Sequence, residues 1–193
     1  MNLYYSSNSP YARKLRVLAI ENHINLNLIE IDLKQPSEHF KSLTPLAKVP
    51  ILEVDDKVLF DSTVIFEYLD SISLKKFETK EKFLFKQLES FADGLCDCAV
   101  NILLEERRPI EKQMPMLIKK NEDKIINSLT KIDEYLDQYE GNFNYDSIFF
   151  GVAINYLLLI RKDILQLKFR NIQAFLNRIN CRKSFSLTAP KGY

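Results

Sequence analysis

A change of hydrophobic period near residue 75 constrains this chain more than any other feature. Before it, short β-rich apolar runs alternate with helical stripes. After it, the strand signal fades and only helical spacing remains. With 193 residues, 46% of them hydrophobic, the chain has enough apolar surface for a real core. The break divides it into a small mixed part and a larger all-helical part.

Leu3-Tyr4-Tyr5 is a β-rich run stopped by Ser6-Ser7-Asn8-Ser9. Pro10 then suits the first position of a helix, with Ser9 as its N-cap. Leu15, Leu18, Ala19 and Asn22 form the stripe of that helix, and Arg13, Lys14 and Glu21 fall outside it. Ile29, Ile31 and Leu33 alternate with Glu30 and Asp32, which predicts a second strand. A short helix is expected from Ser37 to Leu43. Pro50 leads into Ile51-Leu52-Glu53-Val54, and Asp55-Asp56 turns the chain into Lys57-Val58-Leu59-Phe60, a hairpin. Asp61-Ser62 caps a helix whose stripe is Val64, Ile65, Tyr68, Leu69 and Ile72. The order β-α-β-α-β-β-α over residues 1–75 is that of an α/β thioredoxin-like domain. Lys75 to Thr79 is polar and reads as a link.

Residues 81–193 read as an all-α helical bundle. Glu81 to Glu106 carries Phe91, Leu95, Ala99 and Ile102 at helical spacing. Pro109 and Pro115 break the next stretch, and Ile125, Leu129, Ile132 and Leu136 form another amphipathic helix. Ile148 to Ile160 is apolar nearly all round, so it belongs at the bundle centre; it is shorter than the ~20 residues a membrane-spanning helix needs. Ile172, Phe175, Leu176 and Ile179 mark a further helix.

Composition removes several functions. Only four glycines occur, Gly94, Gly141, Gly151 and Gly192, and none can build a glycine-rich phosphate cradle. Lys plus Arg total 27 against 26 for Asp plus Glu, so bulk charge favours neither nucleic acid nor an anionic membrane. His23 and His39 form no metal-ligand pattern, and no metal is expected. Cys96 and Cys98 sit two apart on a helix, a poor redox or metal pair, and read as buried apolar thiols. With Cys181 the cysteines are odd in number, and the start MNLYYSSN lacks a secretory pattern. Both suit a reducing, cytoplasmic setting.

Four stretches carry a family resemblance. They are Ser9-Pro10-Tyr11-Ala12-Arg13-Lys14-Leu15; Pro45 to Leu52 with Lys48-Val49-Pro50; Phe60-Asp61-Ser62 followed by Ile65, Glu67, Tyr68 and Leu69; and Arg182-Lys183-Ser184-Phe185 with Thr188 and Pro190. In order and spacing they resemble bacterial glutathione S-transferases. The resemblance implies glutathione as co-substrate, bound along the α/β domain. The Val49-Pro50 bond would be cis and the Val49 backbone would pair with the tripeptide as an added strand. Ser62 and the adjoining helix start would take the γ-glutamyl carboxylate, Asp61 its ammonium, and Lys48 the glycyl carboxylate. Tyr11, Arg107 and Arg108 are candidates for the pocket of a small hydrophobic electrophile. Family members commonly form homodimers, and conjugation of this kind serves detoxification. Each residue also has an ordinary structural job: a proline turn, a helix cap, a solvated helix end.

Ser9 is the candidate catalytic residue, with Ser6 and Ser7 as rivals. Transfer chemistry needs the glutathione thiol as thiolate. Lowering a thiol pKa from about 8.5 by ~2 units takes roughly 2.7 kcal/mol. A hydrogen bond to the charged sulfur supplies about 1.5–3 kcal/mol, and a helix N-terminus adds about 0.3–1 kcal/mol. The absence of cysteine at position 9 disfavours disulfide exchange. The chain also departs from its relatives in lacking tryptophan, and Asn144-Tyr145-Asp146-Ser147 caps the central helix only in a modified way. Two other readings stand beside conjugation: a non-catalytic binding module on the same fold, such as those associated with RNA polymerase or translation factors, and a glutathione-dependent peroxidase.

Overall fold

A computed structural model describes residues 1–74, 82–138, 141–163 and 169–191. These residues divide into two compact units: 1–74 together with 182–191, and the described residues between 82 and 181. The link read at Lys75 to Thr79 lies outside the described residues.

The first unit is built from β1 (Asn2–Tyr5), α1 (Pro10–Glu21), β2 (Asn27–Glu30), α2 (Glu38–Leu43), β3 (Ile51–Val54), β4 (Lys57–Phe60) and α3 (Ser62–Ser71). Its sheet has the order β2-β1-β3-β4. β1 and β2 are parallel and so need a crossover, which α1 supplies; β1–β3 and β3–β4 are antiparallel. Side chains alternate across the sheet. Leu3 and Leu52 are partners in register, both fully buried. Their neighbours Tyr4 and Ile51 point to the other face and pack with Phe40 of α2. On that face Tyr4 Oη donates to Glu53 and lies 3.1 Å from His39 Nε2. With the tyrosine O–H directed at Glu53, the contact with His39 needs Nε2–H as the donor. Burial, then the bond to Glu53 and its charge, push the Tyr4 phenol up to about 12.

The second strand ends sooner than its alternation suggests. β1 stops at Tyr5, so the ladder runs out after Glu30 and the Ile31 N–H bond to Tyr5 O (2.8 Å); Asp32 then caps a turn through Lys34 N (2.9 Å). The α3 stripe is also rotated. Phe66 is buried with Ile65 and Leu69, whereas Val64 and Ile72 are exposed.

The larger correction concerns α1 and the C-terminus. Arg13 and Lys14, expected off the apolar stripe, are 3% and 2% exposed. The tail packs against α1 at Arg13 and Glu21. A short helix, α8 (Lys183–Leu187), belongs to the first unit, so the helical domain read over 81–193 gives up Arg182–Lys191. The physical reason is a set of paired groups. Arg182 grips Glu21 through Nε (2.9 Å) and Nη2 (2.6 Å), and Ser184 Oγ donates to the same carboxylate (2.5 Å). Arg13 donates to Phe185 O (3.2 Å) and Thr188 Oγ1 (3.3 Å), with its guanidinium 5.3 Å from the Phe185 ring centroid.

The second unit contains α4 (Lys82–Glu106), a 3-10 turn at Ile110–Lys112, α5 (Pro115–Asp137), α6 (Tyr145–Ile160) and α7 (Arg170–Ile179). α6 is buried over most of its length, as an all-round apolar helix must be. It begins with a complete capping box: Asn144 Oδ1 accepts from Ser147 N (3.2 Å), and Ser147 Oγ accepts from Asn144 N (3.1 Å). Serine does at the third position what glutamate usually does. α7 lacks its own side-chain cap and borrows Asp133 of α5, which accepts from Ile172 N (2.9 Å). Cys96 is buried, but Cys98 is only half-buried and Cys181 is exposed. No described helix is long and apolar enough to cross a membrane.

Candidate functional site

The strand registers decide which loops meet. β1 runs toward Tyr5 and the Ser6–Ser9 turn. Tyr4 is opposite Ile51, so Val49-Pro50, just before Ile51, falls at the carboxyl end of β1. Ile51 is opposite Phe60, so Asp61 and Ser62, just after Phe60, fall at the same end. Three segments that are apart in sequence therefore converge on one end of the sheet.

At this end Ser9 has extended backbone angles and caps α1. Its Oγ accepts from Ala12 N (3.2 Å), its carbonyl accepts from Arg13 N (3.0 Å), and its N–H donates to Ser6 O (3.0 Å). The cap uses an oxygen lone pair and leaves the hydroxyl proton for another acceptor. Ser7 differs: it is buried, and its hydroxyl donates to Glu30. Ser6 engages Ser9 through its backbone carbonyl.

The Val49-Pro50 peptide is cis. Val49 packs against the Tyr4–Phe40–Ile51 cluster, and its residue position precedes the first rung of the β1–β3 ladder. Lys48 beside it is exposed, and Ala47 has φ +45, held by Thr44 through Ala47 N. Asp61, at φ +69, is exposed and caps α3 by accepting from Thr63 N (2.8 Å). Ser62 is the first residue of α3 and is 6% exposed. Both non-glycine residues in the left-handed region at this end, Ala47 and Asp61, adjoin the segments that converge there; such strain is stored where the surroundings fix it.

The residues assigned to an electrophile pocket lie in different units. Tyr11 is half-buried in the first turn of α1. Arg107 and Arg108 follow α4 in the second unit, where Arg108 Nη1 is 3.3 Å from both oxygens of Glu105, a buried carboxylate that also accepts from Met114 N (2.7 Å). Arg108 thus neutralises a buried charge.

Sequence reasoning missed Glu30. It pairs in register with Tyr5, accepts from Ser7, and accepts from Lys191 Nζ at 3.2 and 2.9 Å. The Ser7 bond first, then the Lys191 bond, hold its carboxyl below the usual carboxylate range, against a smaller opposing effect of burial. Arg16 lies over the Tyr5 ring at 4.5 Å; burial lowers its pKa, opposed by Tyr5 and Glu30. The alternation that marked Glu30 as a strand residue gave no sign of partners 23 and 161 residues away. Among the described residues no group of three His, Cys, Asp or Glu side chains could hold a metal ion.

Known proteins are similar to this chain in sequence and fold. The profile of the glutathione S-transferase N-terminal domain matches residues 8–72. A glutathione S-transferase from Methylobacillus flagellatus, solved with GSH bound, is similar in structure with a TM-score of 0.91 and 32% identity, covering 98% of this chain and 99% of that one. The uncharacterised GST-like protein YibF of Escherichia coli is 29% identical over 146 residues, 73% of this chain and 69% of that protein. A stringent starvation protein A homologue of Coxiella burnetii is 37% identical over 70 residues, 36% of this chain and 34% of that protein.

Proposed function

The chain belongs to the glutathione S-transferase family, and on that premise we propose that it is a glutathione transferase in which Ser9 stabilises the thiolate of bound glutathione. The observation that carries the reading is the convergence of the Ser9 cap, cis Val49-Pro50 and the Asp61-Ser62 helix start at one end of the sheet. The Ser9 proton, unused by the cap, donates to the sulfur. The Val49 backbone pairs with the cysteinyl unit. Asp61 faces the γ-glutamyl ammonium, Ser62 and the first N–H groups of α3 the carboxylate beside it, and Lys48 the glycyl carboxylate. The thiolate then attacks a carbon of a small apolar electrophile, forming the carbon–sulfur bond either as the leaving group departs with its electron pair or, in addition to a double bond, as the displaced electron pair on the adjacent atom takes up a proton. Tyr11 is the candidate on the electrophile side within this unit. In this reading the protein is a homodimer that works in the cytoplasm, and the location is supported by three cysteines that form no disulfide.

Titration with glutathione, read by calorimetry and by the ultraviolet band of the thiolate, tests this. Ser9→Ala is expected to raise the bound thiol pKa by about 1–2 units, the equivalent of one hydrogen bond to a charged group, while binding persists. An unchanged thiolate band refutes the role of Ser9. The second reading is a non-catalytic binding module. What favours it is the 37% identity, over 70 residues, to the stringent starvation protein A homologue. Failure to bind glutathione at millimolar concentration selects it.

A further inference from the structure

The Ser9 hydroxyl is useful only if it is held still, and the first unit holds it from both sides in sequence. Two residues before it, Ser7 is buried and donates to Glu30. Four residues after it, Arg13 takes the Ser9 carbonyl on its own N–H (3.0 Å) and sends its guanidinium to Phe185 O and Thr188 Oγ1 of the tail. Glu30 in turn sits on β2, in register with Tyr5, the last residue of β1 before the turn. Its second partner is Lys191, at the far end of the same tail, with Nζ at 2.9 and 3.2 Å from the two oxygens. The tail is fixed along its length, by Arg182 and Ser184 on Glu21 and by Arg13 on Phe185 and Thr188. One segment therefore braces the Ser9 turn at both ends.

We propose that Glu30 and Ser7 are positioning residues for the Ser9 hydroxyl, with Lys191 of the C-terminal tail holding the Glu30 carboxylate in place. Neither residue touches the sulfur. Ser7 cannot take over the role of Ser9 while its proton is on Glu30. The Lys191 pair is exposed on both sides and contributes little by itself; its part is to choose one rotamer of Glu30, the one that meets Ser7.

This inference rests on the reading of Ser9 as the thiol's donor, and the sign of one shift separates it from simpler explanations. Glu30 carries a negative charge near the turn. Were it only a charge, Glu30→Ala would ease ionisation of a nearby thiol and lower its pKa. As a positioning residue, its loss lets the turn relax and weakens the Ser9–sulfur bond, which raises the pKa. The experiment is the pH titration of the thiolate band of bound glutathione in the parent protein and in Glu30→Ala, Ser7→Ala, Ser7→Thr and Ser9→Ala. Circular dichroism of each variant confirms that it is folded. Expected is a rise of about one unit, tenfold less thiolate, in both Glu30→Ala and Ser7→Ala. Glutathione affinity should stay within about threefold, and Ser7→Thr, which keeps the hydroxyl, should restore the parent value. A protein carrying both Glu30→Ala and Ser7→Ala should equal either single variant, because both break the same bond. A lowered or unchanged pKa in Glu30→Ala overturns the proposal, as does a Ser7→Thr protein that behaves like Ser7→Ala. An unchanged pKa in Ser9→Ala overturns the underlying assignment of Ser9 instead. A parent protein that binds no glutathione, or binds it only as the thiol, overturns both.

Discussion

Arg13 offers a test of how the tail is held. Its guanidinium is buried with two hydrogen bonds, to Phe185 O and Thr188 Oγ1, and the face of one ring. Among the described residues no carboxylate pairs with it, and its Nη1 is buried without a partner. Burial, followed by the charge of Arg16, lowers its pKa to about 10, still well above neutral pH, so the group is charged and pays for its desolvation. Two opposite contributions can be separated by choosing what replaces it. Arg13→Ala removes the stem that fills the space between α1 and the tail, strips the Phe185 carbonyl of its donor, and leaves a cavity; the cost expected is about 2–3 kcal/mol. For a chain of this length each kcal/mol moves the melting temperature by about 2–4 °C, so a fall of roughly 4–12 °C is expected. Arg13→Met keeps the stem and removes an incompletely satisfied charge, so it should lie within about 1 kcal/mol of the parent.

Urea and thermal unfolding measure both variants, and trypsin reads the tail directly through Lys183. Faster cleavage there is expected in Arg13→Ala and not in Arg13→Met. Should Arg13→Met prove as damaging as Arg13→Ala, the two hydrogen bonds outweigh the burial of the charge and the reasoning is wrong. Should Arg13→Ala cost less than about 0.5 kcal/mol, Arg13 does not hold the tail.

Asp61→Gly keeps the left-handed backbone at no steric cost and loses only a few tenths of a kcal/mol of capping, yet it removes the proposed partner of the glutathione ammonium; calorimetry should find about 10–100-fold weaker binding with stability within about 0.5 kcal/mol. Ser147→Ala opens the capping box of α6 at a fully buried position and should cost about 1–2 kcal/mol by urea unfolding. Glu30 has a lowered folded-state pKa, so its contribution to stability is present at neutral pH and is lost as pH falls through the ordinary carboxylate range and below; the acid limb of the unfolding curve should flatten in Glu30→Gln relative to the parent. Phe175→Ala, fully buried on α7, should cost about 3–5 kcal/mol.

Residues whose partners are near in sequence, or whose spacing repeats, were legible beforehand. The α5 stripe Ile125, Leu129, Ile132 and Leu136 and the α7 stripe Ile172, Phe175, Leu176 and Ile179 are the buried residues that periodicity indicates. Ser9 with Pro10, Ser37 and Asp61 all cap the helices they precede, because a cap is a contact over two or three residues. Periodicity misled where charge served as a sign of exposure. Arg13 and Lys14 are polar by type and buried in fact, and the segment that takes up the Arg13 guanidinium begins more than 160 residues later. The same distance hid Glu30. Its partners, Ser7 and Lys191, approach through a parallel strand pair and a C-terminal tail, and neither relation leaves a local pattern.

The candidate site shows the same division between local and distant information. Motif spacing named Ser9, Val49-Pro50 and Asp61-Ser62, but only strand register places them at one end of the sheet. Hydrogen-bond direction distinguishes Ser7 from Ser9, which spacing cannot do. A hydroxyl has one proton to give. Ser7 gives its proton to Glu30, whereas Ser9 receives one from Ala12 N and keeps its own. The proposed thiolate stabilisation therefore uses the side of the oxygen that the cap leaves open. The bond that stabilises α1 also aims the hydroxyl, so in Ser9→Ala the loss of cap energy and the loss of thiolate should appear together. In Ser7→Ala thiolate should fall while the α1 cap stays whole, and comparing the two variants separates the capping contribution from the aim of the hydroxyl.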